Sequence, residues 1–178
     1  PFILTFCLEA LKKDLADKTI SGIGHRVVHG GDKYYQPVLI DEQVTKTIED
    51  LIDLAPLHNP ANLSGIKAAQ EVFPDLPNIA VFDTAFHQTL PSRARHYAID
   101  KEIAKKYNIK RYGFHGTSHR YVAQKAADFL KQDIKNLRIL SCHLGNGASI
   151  CAIEFGRSVE VSFGMTTMEG LVMGTRSG

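Results

Sequence analysis

"PNIAVFDTAFH", residues Pro77 to His87, reads as an apolar strand that runs straight into an acid, Asp83. The carboxyl end of a strand is the usual place for site residues in an open α/β sheet. The plainer reading of Asp83 is a helix cap for the residues after it. Upstream, "GIGHRVVHGG" is a short β-branched run ended by Gly30-Gly31, a strand leading into a loop. "PVLI" reads as another strand. Asp41 can cap the next helix, "EQVTKTIEDLIDLA", which Pro56 closes. "PLHNPANLSGIKAAQEVF" starts as a Pro-punctuated loop and becomes a helix ending near Pro74. At the amino end, Ile3, Leu4, Cys7, Leu8, Leu11 and Leu15 recur at helical spacing. Strands and helices alternate, which argues an α/β fold.

Downstream of Pro91 the chain becomes more charged, and "SRARHYAIDKEIAKKYNIKRYG" reads as a connecting segment. "TSHRYVAQKAADFLKQ" is a helix with Thr117 or Ser118 as its cap. "LRILSCHLGNGASICAIEFGRSVEVSF" reads as strand, glycine loop, strand, turn at Gly156-Arg157, strand. A domain boundary is expected near residues 84–91.

The chain has 178 residues, 44% of them hydrophobic, enough for one substantial core or two modest ones. Its net charge is +2 with no basic block, which does not point to nucleic acid. No apolar run approaches a membrane span, and no signal peptide is visible. Cys7, Cys142 and Cys151 are odd in number without CxxC spacing. The last two sit in apolar runs and read as small core residues, and a reduced, cytosolic compartment fits. The chain opens inside a helical pattern and stops in the Gly/Ser turn "GTRSG", so both ends read as cut.

Several residues carry chemistry. In "HLGNG", His143 to Gly147, glycines between two apolar runs free the backbone to aim N–H groups at phosphate oxygens. It is not a Walker loop, and a tight hairpin is the plain alternative. Arg26, inside an apolar strand, is either a strand-end arginine in water or a two-pronged clamp on a carboxylate or phosphate. Arg176 stands in a small-residue loop open to anions. His58, in "PLHNPAN", reads as exposed, as do His25, His29, His87 and His96. His115 and His119 are four apart, but Gly116 follows His115 and there is no HExxH, so a zinc pair is disfavoured. His115 is expected just before the helix and His119 in its first turn.

No single motif decides, but the ordered set does. "GHRVVHGG", "APLHNPAN", "VFDTAFH", "YGFHGTSHRYV", "HLGNGASI" and "GLVMGTRSG" together closely resemble the acetate and propionate kinase family, from about Ile23 to Gly178. The resemblance implies an actin/hexokinase/Hsp70-like fold, two domains of ribonuclease-H type facing across a cleft. Residues 1–84 would be most of the first, acyl-binding domain without its N-terminal strands. Residues 85–178 would be a connecting segment and the opening of the second, nucleotide-binding domain. The adenosine-binding segment and a glutamate that helps hold Mg²⁺ are expected outside this sequence, so no metal ligand is expected within it.

By the same resemblance the activity is reversible transfer of a phosphoryl group from ATP to acetate, giving acetyl phosphate and ADP. Mg²⁺ would be the cofactor, and the intact protein a cytoplasmic homodimer with no nucleic-acid or membrane partner. The alternatives are a propionate- or butyrate-type kinase and a non-enzymatic nucleotide-binding module of the same fold. The segment alone is expected to be inactive. Position by position, Arg26 would bind the acetate carboxylate or the passing phosphoryl group, and His58 would contact the phosphoryl group. Asp83 matches the catalytic aspartate, and His115 and Arg176 match transition-state stabilisers. His143, Leu144, Gly145, Asn146 and Gly147 would hold ATP phosphates. Val28, Leu57 and Phe114 would line the acyl pocket, with His119 as support. The family usually carries "DTSMG" and then Thr-Pro before "GL". Here Glu160, Val161 and Thr167 depart from that pattern, which leaves the acyl preference open.

Overall fold

The computed structural model describes residues 2–10 and 18–178. Helix α1 covers Phe2–Ala10, and the rest of the expected amino-terminal helix, with Leu11 and Leu15, lies outside the described residues. Two small sheets follow. The first contains β1 (Ile23–Val27), β2 (Val38–Leu39) and β3 (Asn78–Phe82), in the order β1-β3-β2. β1 and β3 are parallel, in register from Ile23↔Asn78 to Val27↔Phe82, while β2 runs antiparallel to β3.

Parallel strands need a crossover, and here α2 (Glu42–Asp50) and α3 (Asn59–Val72) lie between β1 and β3 in sequence. Asp41 caps α2 as expected, its side chain accepting from the Val44 N–H. The helix stops earlier than Pro56, giving way to a 3₁₀ turn at Ile52–Leu54. Pro60 sits in the first turn of α3, where a missing N–H costs nothing. Val44, Ile48, Leu63 and Ile66 from these helices bury against Val27, Ala80 and Phe82 of the sheet.

The segment expected to be a plain connection contains a 3₁₀ helix (Ala85–Thr89) and two short helices, α4 (Ser92–Arg95) and α5 (Lys101–Lys106). α6 (Gly116–Leu130) then leads to an antiparallel meander. β4 (Arg138–Leu144), β5 (Ala148–Glu154) and β6 (Arg157–Val161) form a second sheet in that order. The β5–β6 turn is at Phe155-Gly156, one residue before the expected place. Both residues have positive φ, 55° and 79°, the backbone that a two-residue hairpin of matching twist requires.

A second core joins Val28 and the 3₁₀ segment to this sheet, through Tyr112, Phe114, Ala123, Cys151, Ile153, Val161 and Phe163. Cys151 belongs to it, but Cys142 is exposed. Adjacent strand positions alternate faces, so a residue one place out of step with the buried Ser141 points outward whatever its polarity. Among the described residues, no helix is long and apolar enough to cross a membrane.

Candidate active site

Arg26 and Asp83 meet where β1 and β3 end. The ladder carries on one residue past β3, with Asp83 N–H donating to the Val27 carbonyl at 2.9 Å. The guanidinium of Arg26 is two-pronged on the carboxylate: Nε donates to Oδ1 at 3.0 Å and Nη2 to Oδ2 at 2.6 Å. Asp83 is buried, with 1% of its side chain exposed, while that of Arg26 is 57% exposed. The carboxylate holds the arginine more firmly protonated still, and leaves one of its edges open to solvent.

Asp83 also receives the start of α6. The His115 N–H donates to Oδ2 at 3.2 Å and the Thr117 hydroxyl to Oδ1 at 3.2 Å. Thr117 and Ser118 are not the caps. His115 occupies that position in the left-handed region, φ 56°, without a side-chain cap bond. The orphan N–H groups of the first turn find Asp83 instead, through its carboxylate and through a 3.0 Å bond from Gly116 N–H to its carbonyl. Only glycine fits at position 116, since a Cβ there would overlap that carbonyl oxygen.

The hairpin loop closes the cluster. Leu144 pairs with Ala148, and Gly145 N–H donates to the Gly147 carbonyl at 3.1 Å, so the tight loop is Gly145, Asn146 and Gly147, while His143 and Leu144, expected within it, end β4. A Cβ on Gly147 would lie 3.3 Å from both Arg176 Nη2 and His115 Nε2, so loop, arginine and histidine share one small space. The turn carrying Arg176 is held there by Met173, whose sulfur accepts from the Ala148 N–H at 3.3 Å. The His143 ring stacks on His115 with centroids 3.8 Å apart, and its Nδ1 meets the Ser118 hydroxyl at 2.9 Å. Burial first, then the charges His143 would carry, push the His115 imidazole down to about 4, so it is neutral at pH 7.

The model of the family described as Acetokinase family matches residues 3–178. The chain belongs to the acetokinase family. Among relatives, it is 59% identical to the acetate kinase of Thermotoga maritima over 166 residues, 93% of this chain and 41% of that protein. It is 61% identical to the acetate kinase of Bacillus cytotoxicus over 159 residues, 89% of this chain and 40% of that one. The crystal structure of Porphyromonas gingivalis acetate kinase superposes with a TM-score of 0.91 at 47% identity, covering 99% of this chain and 46% of that chain. A propionate kinase from Francisella tularensis subsp. tularensis gives 0.91 at 49% identity, covering 99% and 45%. This acetokinase chain thus spans about two fifths of the length of the curated relatives it matches.

Of the residues singled out in the sequence, Arg26, Asp83, His115, Gly147 and Arg176 come together in this acetokinase chain. His143 joins them through its stack on His115. Val28 and Phe114 share the second core and are buried. Leu57 is 85% exposed, and His58, at the N-cap of α3, is exposed too. The expectation of exposure fails for His29 and His87, which are wholly buried. His87 Nε2 donates to the Phe114 carbonyl at 2.9 Å and its Nδ1 accepts from the Ser158 hydroxyl at 2.8 Å. His29 Nδ1 accepts from the Gly31 N–H, and its ring packs edge-on against Tyr112 and Phe114.

Sequence reasoning missed the asparagines of "HNPAN". Asn62 accepts from the Val28 N–H and donates to the Arg26 carbonyl, and Asn59 holds both backbone groups of His29. Two poor helix formers one turn apart at a helix start were the available signal. Ser141 and Ser149, the hydroxyls beneath His115 and His119, gave no signal at all.

Proposed function

We propose that this chain is the central part of an enzyme that transfers the terminal phosphoryl group of ATP to the carboxylate of acetate. An acetate oxygen forms the new P–O bond, the bond to the ADP oxygen breaks, and acetyl phosphate and ADP result, reversibly. One observation carries the reading: three nitrogen-rich side chains, Arg26, His115 and Arg176, gather around a glycine loop and a single buried carboxylate. Acetate is already ionised at pH 7, by analogy with side-chain carboxyls of pKa about 4. No general base is needed. The difficulty is bringing two anions together and stabilising the charge spread over the moving group.

Asp83 then acts by orientation. Its oxygens are taken up by Arg26, the His115 N–H and Thr117, which aims the arginine and the histidine without lending a lone pair to the reaction. For the same reason the carboxylate is a poor ligand for the Mg²⁺ that such a reaction implies. Among the described residues no group of three or more His, Cys, Asp or Glu could hold a metal. A Mg²⁺ carried by nucleotide phosphates needs only one or two protein carboxylates, so it would enter with ATP and not reside on these residues, and no step is routed through it. Arg26 would take the acetate carboxylate, His115 and Arg176 the phosphoryl oxygens, and the loop His143 to Gly147, with Leu144, Gly145 and Asn146, the nucleotide phosphates. His58 would approach the phosphoryl group from α3, and Val28, Leu57 and Phe114 would wall the methyl group.

A second acyl substrate, propionate, is supported by the likeness to the Francisella tularensis propionate kinase, equal in TM-score to that with the acetate kinase of Porphyromonas gingivalis. Two domains, divided near residues 84–91, cytoplasmic location and assembly as a homodimer belong to the same reading. The test grafts this chain in place of the matching 166 residues of the Thermotoga maritima protein and traps acyl phosphate formed from acetate, propionate and butyrate. Acetyl phosphate at the highest kcat/KM supports the proposal. A folded chimera that binds ATP but forms no acyl phosphate favours a nucleotide-binding module.

A further inference from the structure

His115 and His119 are joined by one hydroxyl. Ser149 Oγ lies 2.9 Å from His115 Nδ1 and 2.8 Å from His119 Nε2, and the far nitrogen of His119, Nδ1, lies 2.9 Å from Ser141 Oγ. Ser149, Ser141 and His119 are all buried, and both serines point inward from β4 and β5 toward α6. His119 is pushed down to about 3, chiefly by burial, and His115 to about 4, so both rings are neutral at pH 7 and each carries one ring proton.

Four groups in a row, each with one proton, allow three patterns. In one, both rings donate to Ser149, whose own buried hydroxyl proton is then left without an acceptor among the described residues, and the other two each run one way along the row. In the first of these two, His115 Nδ1–H donates to Ser149, Ser149 to His119 Nε2, and His119 Nδ1–H to Ser141. The His115 Nε2 that faces Gly147 and Arg176 is then bare. In the second, every donor is reversed: Ser141 donates to His119 Nδ1, His119 Nε2–H to Ser149, and Ser149 to His115 Nδ1. His115 Nε2 then carries the proton. The choice falls on Ser141, whose Oγ is hydrogen-bonded, among the described residues, to His119 alone. The first pattern leaves a buried hydroxyl proton without an acceptor, and the second leaves none. His87 follows the same rule nearby, where the Phe114 carbonyl fixes the proton on Nε2 and a serine hydroxyl donates to Nδ1.

We infer that Ser149, His119 and Ser141 are positioning residues that hold neutral His115 in its Nε2–H tautomer, so that it meets the site as a hydrogen-bond donor. This deepens the proposed phosphoryl-transfer reading and rests on it for its use. A donor at Nε2, beside Arg176 and close to Arg26, gives an anion three converging donors without a third positive charge. A bare Nε2 would instead repel a phosphoryl oxygen. The tautomer is a property of the folded chain, independent of substrate.

The experiment is two-bond ¹H–¹⁵N correlation of the imidazole rings in this 178-residue chain at pH 7.5, with histidine assignments from single replacements. His115 and His119 are expected to show a protonated Nε2 and a bare Nδ1. Ser149→Ala should lose that preference at His115, giving a mixed or Nδ1–H tautomer, and Ser149→Thr, which keeps the hydroxyl, should restore it. A wild-type His115 protonated at Nδ1 overturns the inference with no variant needed, should Ser149→Ala fail to fold. So does an unchanged His115 tautomer in folded Ser149→Ala. Failure of the acyl phosphate assay with the tautomer intact would count against the proposed function and leave the relay standing.

Discussion

Asp83 is a buried anion with most of its compensation in one partner, and that makes the pair measurable. Arg26→Ala leaves the carboxylate buried with only the His115 N–H and the Thr117 hydroxyl, and removal of one partner of a buried pair costs about 3 kcal/mol. Asp83→Asn removes the charge itself and should cost less. In the double variant the losses should fall short of additive by 1 kcal/mol or more, on the order seen for groups in one network. Urea denaturation of the four species checks this, and strict additivity would mean that the contact is not energetically coupled. Acid tests the histidines. His29 and His87 are held at about 4 by burial, below the ordinary 6.5, so the unfolded chain binds their protons first as pH falls. Their stabilisation is full above pH 6.5 and is lost between 6.5 and 4, on the order of 3 kcal/mol for each. The urea midpoint should therefore drop from pH 7.5 to pH 5, and His87→Gln should flatten the dependence.

At the scale of elements, α6 is set by two contacts at its first turn rather than by its own sequence. Gly116 lets the helix approach β3 closely enough for its N–H to reach the Asp83 carbonyl. Gly116→Ala improves helix propensity by about 1 kcal/mol yet forces the helix away, which typically costs 1–3 kcal/mol and misplaces His115. Gly156→Ala is the matched control. It strains a positive φ, 79°, which Gly116 does not have, and its Cβ would meet Ile134 at an ordinary 3.5 Å. That variant should lose about 1 kcal/mol and leave the site alone. In the grafted chimera, Gly116→Ala should lower kcat by about a hundredfold or more, as expected for a displaced transition-state donor. Gly156→Ala should leave it near parental. Equal kcat values for the two variants would mean that the α6 start does not position His115.

At the scale of the molecule, two sheets are joined through α6 and the segment between them, and much apolar surface stays open. Leu140 is 74% exposed, Leu144 73%, Phe129 87% and Val172 79%. Leu140, Cys142 and Leu144 stand together on the open face of β4, and an exposed apolar face favours association, so this chain alone should elute larger than a monomer in size-exclusion chromatography with light scattering. It should also lack turnover, since it spans about two fifths of its relatives and phosphoryl transfer needs its parts together. Robust acetyl phosphate formation by the chain alone would refute this. Much of the fold could be read from periodicity and punctuation. The β-branched runs at Ile23 and Asn78, the Asp41 cap and the apolar–glycine–apolar pattern around Gly145 act over a few residues, and local sterics and hydrogen bonding suffice for them. So could the candidate anion binders, because arginine in an apolar strand and glycines between strands are costly without a use. The tertiary structure alone decided that His29 and His87 are buried, and that Asp83, not Thr117 or Ser118, receives the first turn of α6. It alone placed Asn59, Asn62, Ser141 and Ser149 beneath the site. Each of these depends on what another segment, tens of residues away, presents to the same buried polar atom, and no local pattern carries that information.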